Sequence, residues 1–425
     1  MEKACKEYCD CCKILQEELK PAMGCTEPIA IAYAAALARE TLGERPTSVR
    51  IHASGNIIKN VKSVIVPHTD HLRGIGAAAA IGIIAGKPEK ELQVIAEVTE
   101  AEQQLAKAYL AETCIETVPA KTDLLFDIVA EVFSGEHSAS VRIVNYHTNV
   151  VSVIKDGKTL VSKPVEAGAE NDLTDHGFLT LETIYDFAAS ADLADVKPLL
   201  QQQLTGNMVI AEEGLRENWG ANIGSVYLAS HGDTLKNRAI AMAAAGSDAR
   251  MSGCELPVVI NSGSGNQGLT VSVPVGVYAA GIGADEDKLY RALIISNLVA
   301  VYIKSGIGRL SAFCGAVSAG TAAGCAIAYL EDGSFEAVAT TLSNAIATTA
   351  GMICDGAKPS CASKIALSLE SGFLGFEMYR AGQKFLGGDG IVKETADETV
   401  RSVGRLGRDG MRQTDREILH IMVEE

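Results

Sequence analysis

The stretch from Cys314 to Cys361 constrains this chain more than any other. It reads SAFCGAVSAGTAAGCAIAYL, then polar and alanine-rich chain, then GMICDGAKPSCASKIALSLE. Cys314 precedes a small-residue helical run, Gly315 to Tyr329. Cys354 and Cys361 flank the turn Asp355-Gly356-Ala357-Lys358-Pro359-Ser360, and Cys361 opens a second helical run. The dipole and free N–H groups of a helix start favour a thiolate. Three such thiolates, if they converge, form an anionic soft-ligand site suited to iron–sulfur or zinc. Spacing alone equally allows three buried small hydrophobes. Cys325 lies deep inside the first helical run and reads as a packed core thiol.

A second helix start carries another cysteine. In KPAMGCTEPIAIAYAAALARETLG, Pro21 and Gly24 end one helix and Cys25-Thr26-Glu27-Pro28 begins the next. Thr26 is suited to the N-cap, and Pro28 sits in the first turn, where its missing N–H does no harm. Cys25 at the positive helix end is expected to be exposed and to have a lowered pKa. A third feature is the loop Asn261-Ser262-Gly263-Ser264-Gly265-Asn266-Gln267-Gly268, between LPVVI and LTVSVPVGVYAAG. Its amides and hydroxyls suit a carboxylate or another anion. No GKS/T follows, so it is not a Walker A loop, and it lacks the βαβ setting of a dinucleotide fingerprint.

Composition narrows the class. With 425 residues, the chain can hold two or three domains. A formal net charge of −16 argues against nucleic acid and anionic membranes as partners. No apolar run reaches the length of a membrane span and no signal peptide opens the chain. Eleven cysteines without such a signal point to a reducing cytoplasm, with thiols used for metal or catalysis. Cys5, Cys9, Cys11 and Cys12 lie on the first helix, with Cys5, Cys9 and Cys12 on one face. They read as a partly buried helix face, although four thiols so close could bind metal.

Periodicity predicts an α+β fold. Residues 1–44 are read as N-terminal helices, 45–175 as an α+β sheet domain, and 183–425 as a large Ala/Gly-rich all-helical domain. The polar, acidic stretch 165–185 is read as a linker. Within the sheet domain, SVRIHASGNIIKN, SVIVPH, LQVIAEV and TCIETVP are expected as strands. HLRGIGAAAAIGIIAG, AEQQLAKAYLA and LLFDIVAEVFSG are expected as helices, and SASVRIVNYHTNVVSVIKDGKTL as a hairpin-like pair. His68 and Asp70 fall in a polar loop.

The three late cysteines, GCTEP and the Asn261–Gly268 loop together resemble the iron–sulfur L-cysteine desulfidase and L-serine dehydratase superfamily, in its desulfidase branch. The resemblance covers nearly the whole chain, and is loose outside these motifs. It implies that Cys314, Cys354 and Cys361 hold a [4Fe–4S] cluster and that Cys25 is the base taking the substrate α-proton. It implies β-elimination without pyridoxal phosphate, converting L-cysteine to pyruvate, ammonia and sulfide, or L-serine to pyruvate and ammonia. The Cys25–Thr26–Glu27 helix start and Asn261, Ser262, Ser264, Asn266 and Gln267 would bind the amino-acid substrate. His68 is the other candidate base. Some serine dehydratases end in a cysteine that occupies the cluster; here the chain ends Met422-Val423-Glu424-Glu425. Assembly as a homodimer is left open. Two readings from other classes stand beside this one: a non-catalytic iron–sulfur or redox-sensing protein, and a structural zinc protein.

Overall fold

The computed structural model describes residues 1–165, 173–308 and 310–423. The sheet-bearing part opens with α1 (Lys6–Glu18), β1 (Pro21–Met23), α2 (Thr26–Leu42), β2 (Ser48–Ala53), α3 (Gly55–Val61), α4 (Gly74–Ala85) and α5 (Glu100–Glu112). It continues through β3 (Cys114–Pro119), β4 (Asp127–Ser134), β5 (His137–Val144), β6 (Val150–Lys155) and β7 (Lys158–Ser162). The helical part runs α6 (Leu181–Ser190), α7 (Lys197–Arg216), α8 (Ile223–His231), α9 (Leu235–Met251), the short β8 (Pro257–Val259), α10 (Gly265–Ile282) and α11 (Glu286–Ile307). It closes with α12 (Gly315–Glu331), α13 (Phe335–Thr349), α14 (Cys361–Arg380), α15 (Ala396–Arg405) and α16 (Arg412–Val423). This is an α+β architecture. The stretch read as a linker falls partly on 166–172, and the chain's last two residues likewise lie outside the described residues.

Six strands form one sheet in the order β3-β2-β4-β5-β6-β7, parallel only between β2 and β3. Helix α2 covers it, packing on β4, β5 and β6, with α4 behind. Its residues Ile29 to Ala36 are all buried, as a helix enclosed on both sides requires. Contact between α2 and α4 is backbone-close: a Cβ at Gly82 would lie 2.2 Å from the Ala32 carbonyl oxygen. The helical part uses the same device, with Gly324 of α12 against Gly372 of α14. Scarce aromatics and abundant Ala and Gly are thus explained by helices packed at short range.

Several local expectations are corrected. LLFDIVAEVFSG was expected as a helix but forms β4. Its Ile128, Ala130 and Val132 alternate into the core beneath α2, and the left-handed Gly135 turns the chain into β5. Alternation of branched residues outweighs the weaker helical spacing. The expected strand SVRIHASGNIIKN ends at Ala53 and continues as α3, which buries Asn56, Ile57, Asn60 and Val61. SVIVPH pairs only through the single bridge Ile65–Arg73, and Pro67 removes a donor. In LQVIAEV a 3₁₀ turn, Pro88–Gln93, replaces the beginning of the expected strand. The helical part also contains β8, which pairs antiparallel with β1 and ties the start of the chain to the loop after Val259.

Candidate active site

The late cysteines are brought together by backbone pairing. Phe313 and Ile353 form an antiparallel bridge, with Cys314 N–H donating to Met352 O (3.0 Å) and Cys354 N–H to Ala312 O (2.6 Å). Cys314 and Cys354 therefore sit on adjacent extended segments. The turn that follows carries the chain back to Cys361 at the start of α14. Gly356 permits it: its φ is +94°, and a Cβ there would lie 2.6 Å from the Lys59 carbonyl oxygen. Asp355 receives both Lys358 and Lys364, and Lys364 Nζ also donates to Ile353 O (2.8 Å).

The thiols' protonation differs from the expectation. Burial pushes Cys314 up to about 12, with Cys354 and Cys361 adding to the rise and Lys364 opposing it. Cys361 is raised by burial in the same way. A helix terminus contributes only about 0.3–1 kcal/mol, less than the cost of charging a thiol away from water. Loading a metal would release these protons. Among the described residues no three His, Cys, Asp or Glu side chains already stand as a metal-holding group. The three thiols share a neighbourhood without forming a closed ligand set. Their soft-donor chemistry and the adjacent Lys364 ammonium fit an anionic iron–sulfur group.

Cys25, not Thr26, is the N-cap residue of α2, and Thr26 is the first helical residue. Pairing of β1 with β8 delivers Cys25 beside the Asn261–Gly268 loop, where Thr26 Oγ1 donates to Gly263 O (2.9 Å). Cys25 packs in a small apolar cluster with Val64 and Met251, against which Ala357 and Cys361 also pack. The two cysteine-bearing helix starts therefore face one another. The expectation of an exposed, acidic thiol at Cys25 is corrected. Cys25 is only 3% exposed, and burial first, then the Glu27 charge, push it well above its ordinary value, while Arg250 opposes them.

Glu27 is the polar centre of this corner. Its Oε2 accepts from Cys25 Sγ (3.2 Å) and its Oε1 from Asn60 Nδ2 (2.9 Å), while Thr26 Oγ1, whose proton goes to Gly263 O, lies 3.2 Å from Oε2. Burial alone would raise its carboxyl, but His147, the Cys25 thiol and Arg250 outweigh that and hold it below the usual carboxylate range. The resting pair is a thiol donating to a carboxylate.

The polar loop divides into structural and available groups. Asn261 is fully buried, with Nδ2 donating to Asn297 O (3.2 Å) and Oδ1 (3.0 Å) and Oδ1 accepting from Ser262 Oγ (2.9 Å). Ser264 is the N-cap of α10, its Oγ accepting from the Gln267 N–H. These groups hold the loop, whose Ser262 has φ +50°. Gln267 packs against Gly315, beside Cys314, and its buried Oε1 has no hydrogen-bond partner. Asn266 Oδ1 accepts from Arg250 Nη1 (3.1 Å).

Arg250, Asn60 and Lys59 escaped the sequence reading. Arg250 lies in the last turn of the alanine-rich α9, and Asn60 and Lys59 lie on α3, read as a strand. Lys59 is buried, pairs with Asp415 of α16 (2.5 Å) and lies 3.5 Å from Cys354 O. His68, the other candidate base, has Nδ1 3.1 Å from Glu255 Oε1 and φ +56°. Cys325 is fully buried, its Sγ donating to Val338 O (3.6 Å).

The family model for the serine dehydratase alpha chain matches residues 89–420. The chain belongs to this serine dehydratase alpha-chain family. A UPF0597 protein of Desulfitobacterium hafniense is 52% identical over 100% of this chain and 99% of its own length. A UPF0597 protein of Lachnoclostridium phytofermentans is 47% identical, covering 96% of this chain and 98% of its own. One from Finegoldia magna is 45% identical, covering 97% and 99%. No described helix is long and apolar enough to cross a membrane.

Proposed function

We propose that this chain is a lyase that carries out β-elimination on a small β-substituted L-amino acid without pyridoxal phosphate. L-cysteine is the preferred substrate, giving pyruvate, ammonia and sulfide. The observation that supports this most is the facing of Cys25 and Cys361 across one apolar cluster, with the polar loop alongside. Cys314, Cys354 and Cys361 would hold a [4Fe–4S] cluster. Bound there, the cluster would supply a Lewis-acidic iron that polarises the bond to the leaving group.

The chain's own groups account for proton movement. Cys25 Sγ takes the α-proton as a thiolate, its own proton having been lost to water, and returns to the thiol whose S–H donates to Glu27 Oε2. Asn60 holds that carboxylate in place. Loss of the α-proton and of the β-substituent gives aminoacrylate, whose imine tautomer is hydrolysed by water to pyruvate and ammonia. Since Cys25 rests as a thiol, kcat/KM should rise with pH through the alkaline range.

The serine dehydratase match favours a second substrate reading, L-serine, handled by the same groups with water as the leaving molecule. The test is turnover of both amino acids by anaerobically reconstituted protein. Brown protein that releases sulfide and pyruvate from L-cysteine supports the first reading, and pyruvate from L-serine alone supports the second. Colourless zinc protein, or brown protein inert to both amino acids, contradicts the lyase reading.

A further inference from the structure

We propose that Arg250 is the receptor for the substrate α-carboxylate, an assignment that rests on the amino-acid lyase reading above. Arg250 is 2% exposed, and among the described residues its guanidinium makes one hydrogen bond, Nη1 to Asn266 Oδ1 (3.1 Å). Nε is buried and has no partner. A buried guanidinium without a paired anion is costly, and a bound carboxylate would relieve that cost.

The acids nearby are engaged elsewhere. Glu27 lies within charge range of Arg250, but its oxygens accept from Cys25 and Asn60. Asp248 accepts from the Ala221 and Ile223 N–H groups at the start of α8 (3.3 and 2.6 Å). Glu255 stands against His68.

The fold makes a seat for this guanidinium. At Gly265, the first residue of α10, a Cβ would lie 2.3 Å from Arg250 Nε and 2.7 Å from Cζ. Any larger residue would displace the charge. The helix start of α10 at Gly265 adds backbone N–H groups, a setting that favours anions. Two residues on, the unpartnered Gln267 Oε1 is an acceptor suited to an α-ammonium. Donor and acceptor therefore match the two ends of an amino-acid zwitterion. Cys25 lies within charge range of Arg250. A carboxylate held at Arg250 would present the α-carbon to the Cys25 corner.

The experiment uses the anaerobically reconstituted holoenzyme. It compares binding of L-alanine with that of L-alaninamide, and kcat/KM for L-cysteine with that for L-cysteinamide. Arg250→Met should weaken L-alanine binding and L-cysteine kcat/KM by about 100-fold, and change the amides only slightly. Arg250→Lys should lose less, since it keeps the charge but not the planar fork. Gly265→Ala, which leaves the arginine in the chain but fills its seat, should show the same selective loss if Arg250→Met fails to fold. Equal L-alanine binding by wild type and Arg250→Met overturns the assignment. So does an equal loss for acid and amide, which a merely structural role would give. Wild type that binds neither probe overturns it as well. If wild type binds L-alanine through Arg250 yet releases no product from either amino acid, the lyase reading fails and the carboxylate receptor stands.

Discussion

The chain holds two groups of cysteines, and they are built differently. Cys5, Cys9, Cys11 and Cys12 share α1 and its N-cap, so their closeness follows from helix geometry alone. Each meets different surroundings. Cys9 is exposed, Cys11 is fully buried, and Cys5 caps the helix, its Sγ accepting from Tyr8 N–H (3.4 Å). Cys314, Cys354 and Cys361 come from separate segments, and their closeness is made by the Phe313–Ile353 bridge and the Gly356 turn. A second helix start, Cys25, faces this late group and none of the four. Thiols that are neighbours in sequence need no purpose, whereas thiols assembled by long-range backbone pairing and glycine-only turns are placed at the expense of local conformational freedom.

The sharpest way to break that contrast is to exchange the groups' fates. Cys314→Ala should lose iron and turnover together after anaerobic reconstitution, while Cys9→Ala should keep both. Iron per chain and sulfide release read the two outcomes. Loss of iron in Cys9→Ala would transfer the metal role to α1.

The support beneath the late group gives the next effect. Lys59→Met leaves Asp415 without its buried cation, with only Asn56 Nδ2 (2.8 Å) still donating to it, and should cost about 3 kcal/mol in denaturant unfolding. It should also speed alkylation of Cys354 in apo protein, because Lys59 Nζ lies against the Cys354 carbonyl. Unchanged stability would mean that α16 is not anchored through Asp415. Gly356→Ala should cost about 2 kcal/mol, from its left-handed φ and the approach of Lys59 O. The same substitution at Gly135, also left-handed but with no atom near its Cβ, should cost less.

The smallest effect belongs to α1. Burial pushes Cys11 up to about 12. Its raised folded value contributes stability that is fully present below the unfolded value, about 8.5, and is lost as pH rises toward the folded one. Apo protein should melt progressively lower above about pH 8.5, and Cys11→Ala should flatten part of that slope. An equal slope in the variant would place the linkage on other thiols.

Much of the architecture could be read from the sequence, and the failures share a cause. Alanine and glycine at helical spacing announce α2, α4, α12 and α14 because close packing demands them throughout. The Asp127–Ser134 strand was mistaken for a helix because its apolar residues satisfy both periods, and only the partner strands decide. α3 was missed because seven residues carry little periodic signal, and with it went Asn60 and Lys59. The positions of Cys25, the polar loop and the late cysteines were legible as motifs. Their protonation was not, since local sequence reveals the helix terminus but not the burial that opposes it. Arg250 left no signal beyond a charge at the end of an apolar helix, and its lack of a hydrogen-bonded acid exists only in the folded chain.

The proposed division of labour gives Cys25 to the substrate and the late cysteines to the metal. One sample of Cys25→Ala, reconstituted anaerobically beside wild type, tests it most directly. Iron content and visible absorption are measured first, then sulfide and pyruvate release from L-cysteine. Full iron and the brown absorption, with turnover lost, are expected. Near-normal turnover would assign the base elsewhere, and loss of iron would move Cys25 among the metal ligands; either result contradicts that division.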